Sequence, residues 1–238
     1  MGRICGVLFD KDGTLFDFHA TWGAWADRFL LDLARGDRIH ARRLGQAVGF
    51  DMDSRTFMAG SPAISGTPGE IAEVLLEHLP GANPQILVAR INVSAAEAPL
   101  SPAAPLDALL GGLRGRGLRL GVATNDAEAP ARAHLQTAGI ADLFDFIAGS
   151  DSGHGAKPDP GMLLAFCDRL GLDPRAVVMV GDSAHDLIAG RAAGMRTVAV
   201  LTGHAEEAVL AELADTVLAD VGHLPVWLDR EELAESVA

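Results

Sequence analysis

Lysine is nearly missing from this chain. Of its 238 residues only Lys11 and Lys157 are lysines, against 17 arginines. With Ala and Gly abundant, this reads as a compositional bias against lysine. The two that remain are candidates for work that a guanidinium does poorly, because an ammonium is a compact point charge and a guanidinium a broad planar fork. Cysteine is equally scarce, with Cys5 and Cys167 alone. That excludes a disulfide framework and predicts two buried thiols in a reducing compartment. No apolar run approaches the about 18 residues of a membrane span. The opening MGRICGVLF runs straight into an apolar segment without a signal-peptide pattern, so a cytoplasmic location is the expectation. Positive charge is also short. A formal net charge of -13 excludes a role holding nucleic acid, but leaves open a small phosphorylated ligand, which one local cluster of donors can bind.

What is present is ample core material, 49% hydrophobic residues, in an ordered alternation. Residues 4–9 are a short apolar run bounded by a turn signal, the pattern of a buried strand. From residue 105 onward, strands predicted at 118–123, 144–148, 176–180, 197–201 and 216–219 alternate with helices at 106–116, 128–138, 160–170, 184–193 and 206–214, several closed by glycine. Such alternation implies an α/β fold: a Rossmann-like parallel sheet with helices on both faces, which residues 4–9 must join. Residues 17–98 differ. They show no convincing strand and four helices, including a Trp22, Trp25, Phe29 face and a Thr67-Pro68-Gly69-Glu70 capping box. The expected organisation is a core of residues 1–16 and 99–238 interrupted by an all-helical cap of residues 17–98. The Trp22, Trp25, Phe29 face is expected to be cap core, and the scattered histidines to be surface or core residues.

Each predicted strand end carries polar residues. Residues 4–9 deliver Asp10-Lys11-Asp12-Gly13-Thr14, the next strand ends in Thr124-Asn125, a loop carries Lys157-Pro158, and the strand at 176–180 ends in Gly181-Asp182 with Asp186 four residues on. In open α/β sheets ligands gather beyond the carboxyl ends of the strands, and carboxylates there need a cation or donors to match them. Together these residues suit phosphoryl transfer. Asp10 is the expected nucleophile, and Asp12 the acid that protonates the leaving oxygen and then the base that activates water. Thr124, Asn125 and Lys157 are expected to hold the phosphoryl oxygens. Asp10, the Asp12 backbone carbonyl, Asp182 and Asp186 are the expected metal set, a hard oxygen environment suited to Mg2+. Lys11 is expected to point away from the site.

The four motifs, Asp10-x-Asp12-Gly13-Thr14, Thr124-Asn125, Lys157-Pro158 and Gly181-Asp182-x3-Asp186, resemble those of the haloacid dehalogenase superfamily, in the branch with a helical cap after the first motif and closest in look to phosphoglycolate-phosphatase-like hydrolases. The resemblance implies a Mg2+-dependent phosphatase acting on a small phosphorylated metabolite through an aspartyl-phosphate. Alternatives are a phosphomutase of the β-phosphoglucomutase type and a phosphate-binding pseudoenzyme. Asp12 argues against a dehalogenase, which needs no second acid there, and a cap without lysine argues against a phosphonatase. Substrate contacts are expected from Arg55, the one cation between residues 50 and 62, and from His19 on the first tether. A monomer or homodimer is expected, without nucleic-acid or membrane partners.

Overall fold

The computed structural model describes residues 3–237. Its centre is β1, Gly6–Phe9, whose four residues are all buried. The remaining strands of the main sheet are β4 (Arg119–Ala123), β5 (Phe146–Ala148), β6 (Val177–Gly181), β7 (Arg196–Val200) and β8 (Thr216–Leu218). They lie in the order β5-β4-β1-β6-β7-β8 with every pairing parallel. Alternation along β1 sends Val7 and Phe9 to one face and Leu8 to the other. The first face joins Leu109, Leu110 and Leu113 of α6 (Leu106–Gly115) and Leu224 and Leu228 of a C-terminal helix, while the second packs on Met162, Leu163 and Phe166 of α8 (Gly161–Leu170). The crossovers also use α7 (Glu128–Thr137), α9 (Ala184–Ala193) and α10 (Glu207–Ala211). A parallel sheet covered on both faces is therefore present, as the sequence predicts.

Residues 18–98 supply a separate apolar cluster, built on Trp25, Phe29, Leu44, Phe50, Leu75 and Ile91. Its helices are α1 (Phe18–Leu33), α2 (Arg38–Ala47), α3 (Pro62–Ser65), α4 (Pro68–Leu76) and α5 (Pro84–Ala95). The predicted capping box forms: the Thr67 side chain accepts from the Glu70 N–H, and the Glu70 carboxylate accepts from the Thr67 N–H at 2.7 Å. Two stretches connect this segment to the sheet, and they pair with each other. The Asp17 N–H donates to Ser101 O at 2.8 Å and the Ala103 N–H to Leu15 O at 2.9 Å.

Three expectations need correction. The inserted segment is not purely helical, because β2 (Phe50–Asp51) and β3 (Thr56–Phe57) form a short antiparallel ribbon. Two residues per strand are too few to show a period-two pattern. Residues 224–237 form a further helix, α11 (Leu224–Val237), which buries Leu224, Trp227 and Leu228 against the sheet. Cys5 is exposed rather than buried, one residue before β1 at the amino edge of the sheet, whereas Cys167 is buried, and burial pushes its thiol up to about 11.

Candidate active site

Three adjacent strands, β4, β1 and β6, end side by side, and each hands its next residues to one cavity. Asp10 follows β1, Thr124 and Asn125 follow β4, and Asp182 follows β6; all four line the cavity with Asp12, Asp126, Lys157 and Asp186. The turn after β1 depends on Gly13. Its φ of 82° suits glycine, and a Cβ there would collide with the Asp182 carboxylate. The cavity encloses about 70 Å³. Its opposite wall comes from the inserted segment and is apolar, including Phe18, Trp22, Trp25, Phe57 and Ile64. Trp22 and Trp25 therefore serve both as core of the inserted segment and as cavity wall.

Lys157 is the centre of a buried ion cluster. Its ammonium donates to Asp10 Oδ1 at 2.6 Å, Asp186 Oδ1 at 2.6 Å and Ala123 O at 2.7 Å, which uses all three of its protons. Burial depresses its pKa, but Asp10 and Asp186 outweigh burial and hold the ammonium above its ordinary range. The other oxygen of Asp186 accepts from the Ser183 N–H at 3.0 Å and hydroxyl at 2.7 Å, closing the capping box that opens α9. Asn125 fixes the lysine loop: its Oδ1 accepts from the Lys157 N–H at 2.8 Å and its Nδ2 donates to Lys157 O at 2.8 Å. The same Nδ2 donates to Ser65 O at 2.7 Å and so touches the inserted segment.

Three carboxylates, Asp10, Asp182 and Asp186, are buried with oxygens within 4.8 Å of one another. One ammonium does not balance them. Burial pushes Asp10 up to about 7 against the opposing pull of Lys157, and burial with the neighbouring Asp10 and Asp186 raises Asp182 well above the carboxylate range. Thr14 Oγ1 donates to Asp182 only at 3.3 Å. Such a set of hard oxygen donors with uncompensated charge fits a divalent cation of the Mg2+ type. The Asp12 carboxylate lies outside this trio.

Asp12 has two unlike oxygens. Oδ2 accepts from Lys11 Nζ at 2.6 Å, while Oδ1 is buried without a hydrogen-bond partner. Lys11, expected to point away from the site, is instead fully buried against the carboxylates beside it, and does offset nearby acid. Its ammonium lies 3.4 Å from Asp126 Oδ2 and 5.3 Å from the Trp22 ring centroid, and donates to His134 Nδ1 at 3.1 Å. His134 Nε2 sits 2.7 Å from Ala95 O and must be the protonated nitrogen. Burial, then the Lys11 charge, lowers the His134 pKa to about 4. Burial likewise raises Asp126 to about 6 despite Lys11.

The structure brings together Asp10, Asp12, Thr124, Asn125, Lys157, Asp182 and Asp186. It does not bring in Arg55 or His19. Arg55 is exposed at the ribbon turn and pairs with Asp27 at 3.0 Å. His19 is exposed with its ring 4.4 Å from that of His204, and neither Arg55 nor His19 lines the cavity. Sequence reasoning missed Asp126 and His185, both in the lining. Asp126 directly follows a recognised motif and His185 lies inside one, the only signal available.

Residues 4–194 match the model of the haloacid dehalogenase-like hydrolase family. The chain is 34% identical over 228 residues to a phosphoglycolate phosphatase of Rhodospirillum rubrum, covering 93% of this chain and 90% of that one. Among solved structures it is similar to a putative haloacid dehalogenase-like hydrolase from Bacteroides fragilis, with TM-score 0.69, 23% identity, and coverage of 93% of this chain and 100% of the other. A putative β-phosphoglucomutase from Thermotoga maritima matches with TM-score 0.66 and 20% identity over 95% of this chain and 99% of its own. These two structures share the fold.

Proposed function

This chain belongs to the haloacid dehalogenase-like hydrolase family and is a phosphatase, and from that premise we propose that it is a Mg2+-dependent hydrolase of a small phosphorylated metabolite, working through an aspartyl-phosphate on Asp10. The observation that carries the reading is the pair at the end of β1. Asp10 lines the cavity, and beside it Asp12 presents an oxygen without a partner.

Asp10 attacks phosphorus and the bond to the leaving oxygen breaks, while Asp12 Oδ1 supplies the proton that the leaving oxygen needs. Water then attacks the phosphoryl group, Asp12 takes its proton back, and the Asp10–phosphorus bond breaks to release phosphate. Lys11 holds the other oxygen of Asp12 throughout, which orients the carboxyl group. The Thr124 side chain and Lys157 are assigned to the phosphoryl oxygens, with Lys157 exchanging one of its three present partners to do so. The Asn125 amide N–H is assigned to the phosphoryl oxygens with them, while its side chain keeps the Lys157 loop in place. Asp10, Asp182, Asp186 and the Asp12 backbone carbonyl are the residues assigned to Mg2+, which when bound screens the repulsion between carboxylate and phosphate. Residues 17–98 act as a cap on a core of residues 1–16 and 99–238, excluding water while the phosphoenzyme forms.

The test is hydrolysis of p-nitrophenyl phosphate with Mg2+ present. Stoichiometric release of free phosphate supports the hydrolase. With a sugar phosphate as substrate in place of p-nitrophenyl phosphate, its conversion to an isomeric sugar phosphate without release of free phosphate would favour the mutase reading.

A further inference from the structure

The cap side of the cavity has no charge to offer. Among the described residues, none of the seven arginines between positions 17 and 98 lines it, and that segment contains no lysine. Four of those positions have other partners or places: Arg42 pairs with Asp53, Arg55 with Asp27 and Arg90 with Asp32, and Arg35 sits at a turn with φ 53°. What the cap presents is Phe18, Trp22, Trp25, Phe57, Ile64 and Ile71. The polar side of the cavity belongs to the core, and it is acidic: Asp10, Asp12, Asp126, Asp182 and Asp186 all line it, with Lys157 as the one lysine. The ammonium and the proposed cation are both committed to those carboxylates and to the transferring phosphoryl group. Apart from the His185 imidazole on the core side, no side chain of the lining that can carry positive charge remains for a second anion on the substrate, and none comes from the cap.

The cap's own polar contribution is equally thin. Ser65 and Gly66 are its only non-apolar lining residues, and Ser65 O already accepts from Asn125 Nδ2 at 2.7 Å. The Trp25 indole N–H is taken by Ser94 Oγ at 2.9 Å. A leaving group bearing several hydroxyls would lose its hydration against this wall and find little to replace it, whereas an apolar one loses nothing. The cavity is also small, which suits a compact monoester.

We infer that the substrate class is a phosphate monoester of a compact, uncharged, predominantly apolar alcohol, with the phosphoryl group at the strand ends and the leaving group against the aromatic cap wall. This inference rests on the hydrolase reading above and narrows it. It runs against 2-phosphoglycolate, whose carboxylate would meet neither arginine nor lysine on the cap side, and against polyhydroxylated sugar phosphates.

The experiment uses the full chain with Mg2+ and four alkyl monoesters of similarly poor leaving groups: benzyl phosphate, 3-methylbutyl phosphate, 2-phosphoglycolate and glycerol 3-phosphate. Released phosphate is measured in each case. The expected result is kcat/KM for the first two exceeding that for the last two by about tenfold or more, expressed mostly in KM. A preference for 2-phosphoglycolate or glycerol 3-phosphate, or no preference, overturns the substrate class while leaving the hydrolase intact. Phosphate release from none of the four while p-nitrophenyl phosphate is hydrolysed overturns the substrate class alone, and no release from p-nitrophenyl phosphate either overturns the hydrolase reading and this inference with it. Ile64→Arg places a cation on the cap wall and is expected to raise kcat/KM for 2-phosphoglycolate at the expense of benzyl phosphate. An unchanged ratio in that variant, folded by circular dichroism, would place the leaving group elsewhere and overturn the inference.

Discussion

At Asp12 one carboxylate oxygen is held by Lys11 at 2.6 Å and the other is left bare, so a neighbour in sequence decides which oxygen carries the proton. Strand alternation already places Lys11 on the side opposite Asp10. It cannot say what covers that side, because Trp22, Asp126 and His134 come from remote parts of the chain. Lys11→Met leaves Asp12 and Asp126 buried without their cation. Removing one partner of a buried ion pair costs about 3–5 kcal/mol, and the urea midpoint should fall accordingly. An unchanged midpoint would show that the ammonium is not needed to offset those acids. At Asp10 the isosteric change Asp10→Asn should abolish p-nitrophenyl phosphate turnover with an unchanged circular dichroism spectrum. Full activity in that variant would remove Asp10 as nucleophile.

Between elements, two hydrogen bonds join the sheet side to the inserted helices: Asn125 Nδ2 to Ser65 O at the end of α3, and His134 of α7 to Ala95 O at the end of α5. The second has a pH signature. His134 is held neutral, its pKa lowered from 6.5 to about 4. Below about pH 6.5 the unfolded chain therefore binds a proton that the folded chain refuses until about pH 4. The stability carried by neutral His134 is complete above pH 6.5 and is lost as the pH falls through that window, amounting to roughly 3 kcal/mol. Urea unfolding of the native chain and of His134→Gln between pH 7 and 4 should show the native chain losing its advantage by about that much, and parallel curves would contradict it. The elements themselves were largely legible. Short apolar runs bounded by turn or polar residues mark the strands, and Thr67 marks the start of α4. The β2–β3 ribbon and α11 were not, the first for want of length and the second because Asp and Glu crowd its sequence and blur its apolar stripe.

Across the whole molecule, the catalytic half was written in strand ends and the specificity half was not. Asp10, Thr124, Asn125 and Asp182 could be placed together because three strand ends in one parallel sheet must face the same crevice. Arg55 could not be placed, since whether a loop cation reaches a cavity or a surface aspartate depends on how the inserted segment packs, and here it meets Asp27. The net charge of -13 sharpens the demand for a counter-ion at the buried acid trio. Treatment with EDTA should silence phosphate release and added Mg2+ restore it, while metal-independent turnover would remove Asp182 and Asp186 from the assigned roles. The proposed chemistry requires a covalent phosphoenzyme at Asp10. Acid quenching during turnover, borohydride reduction and peptide mass spectrometry should find Asp10 converted to homoserine. An unmodified Asp10 with phosphate still being released, or the label on another residue, would contradict it.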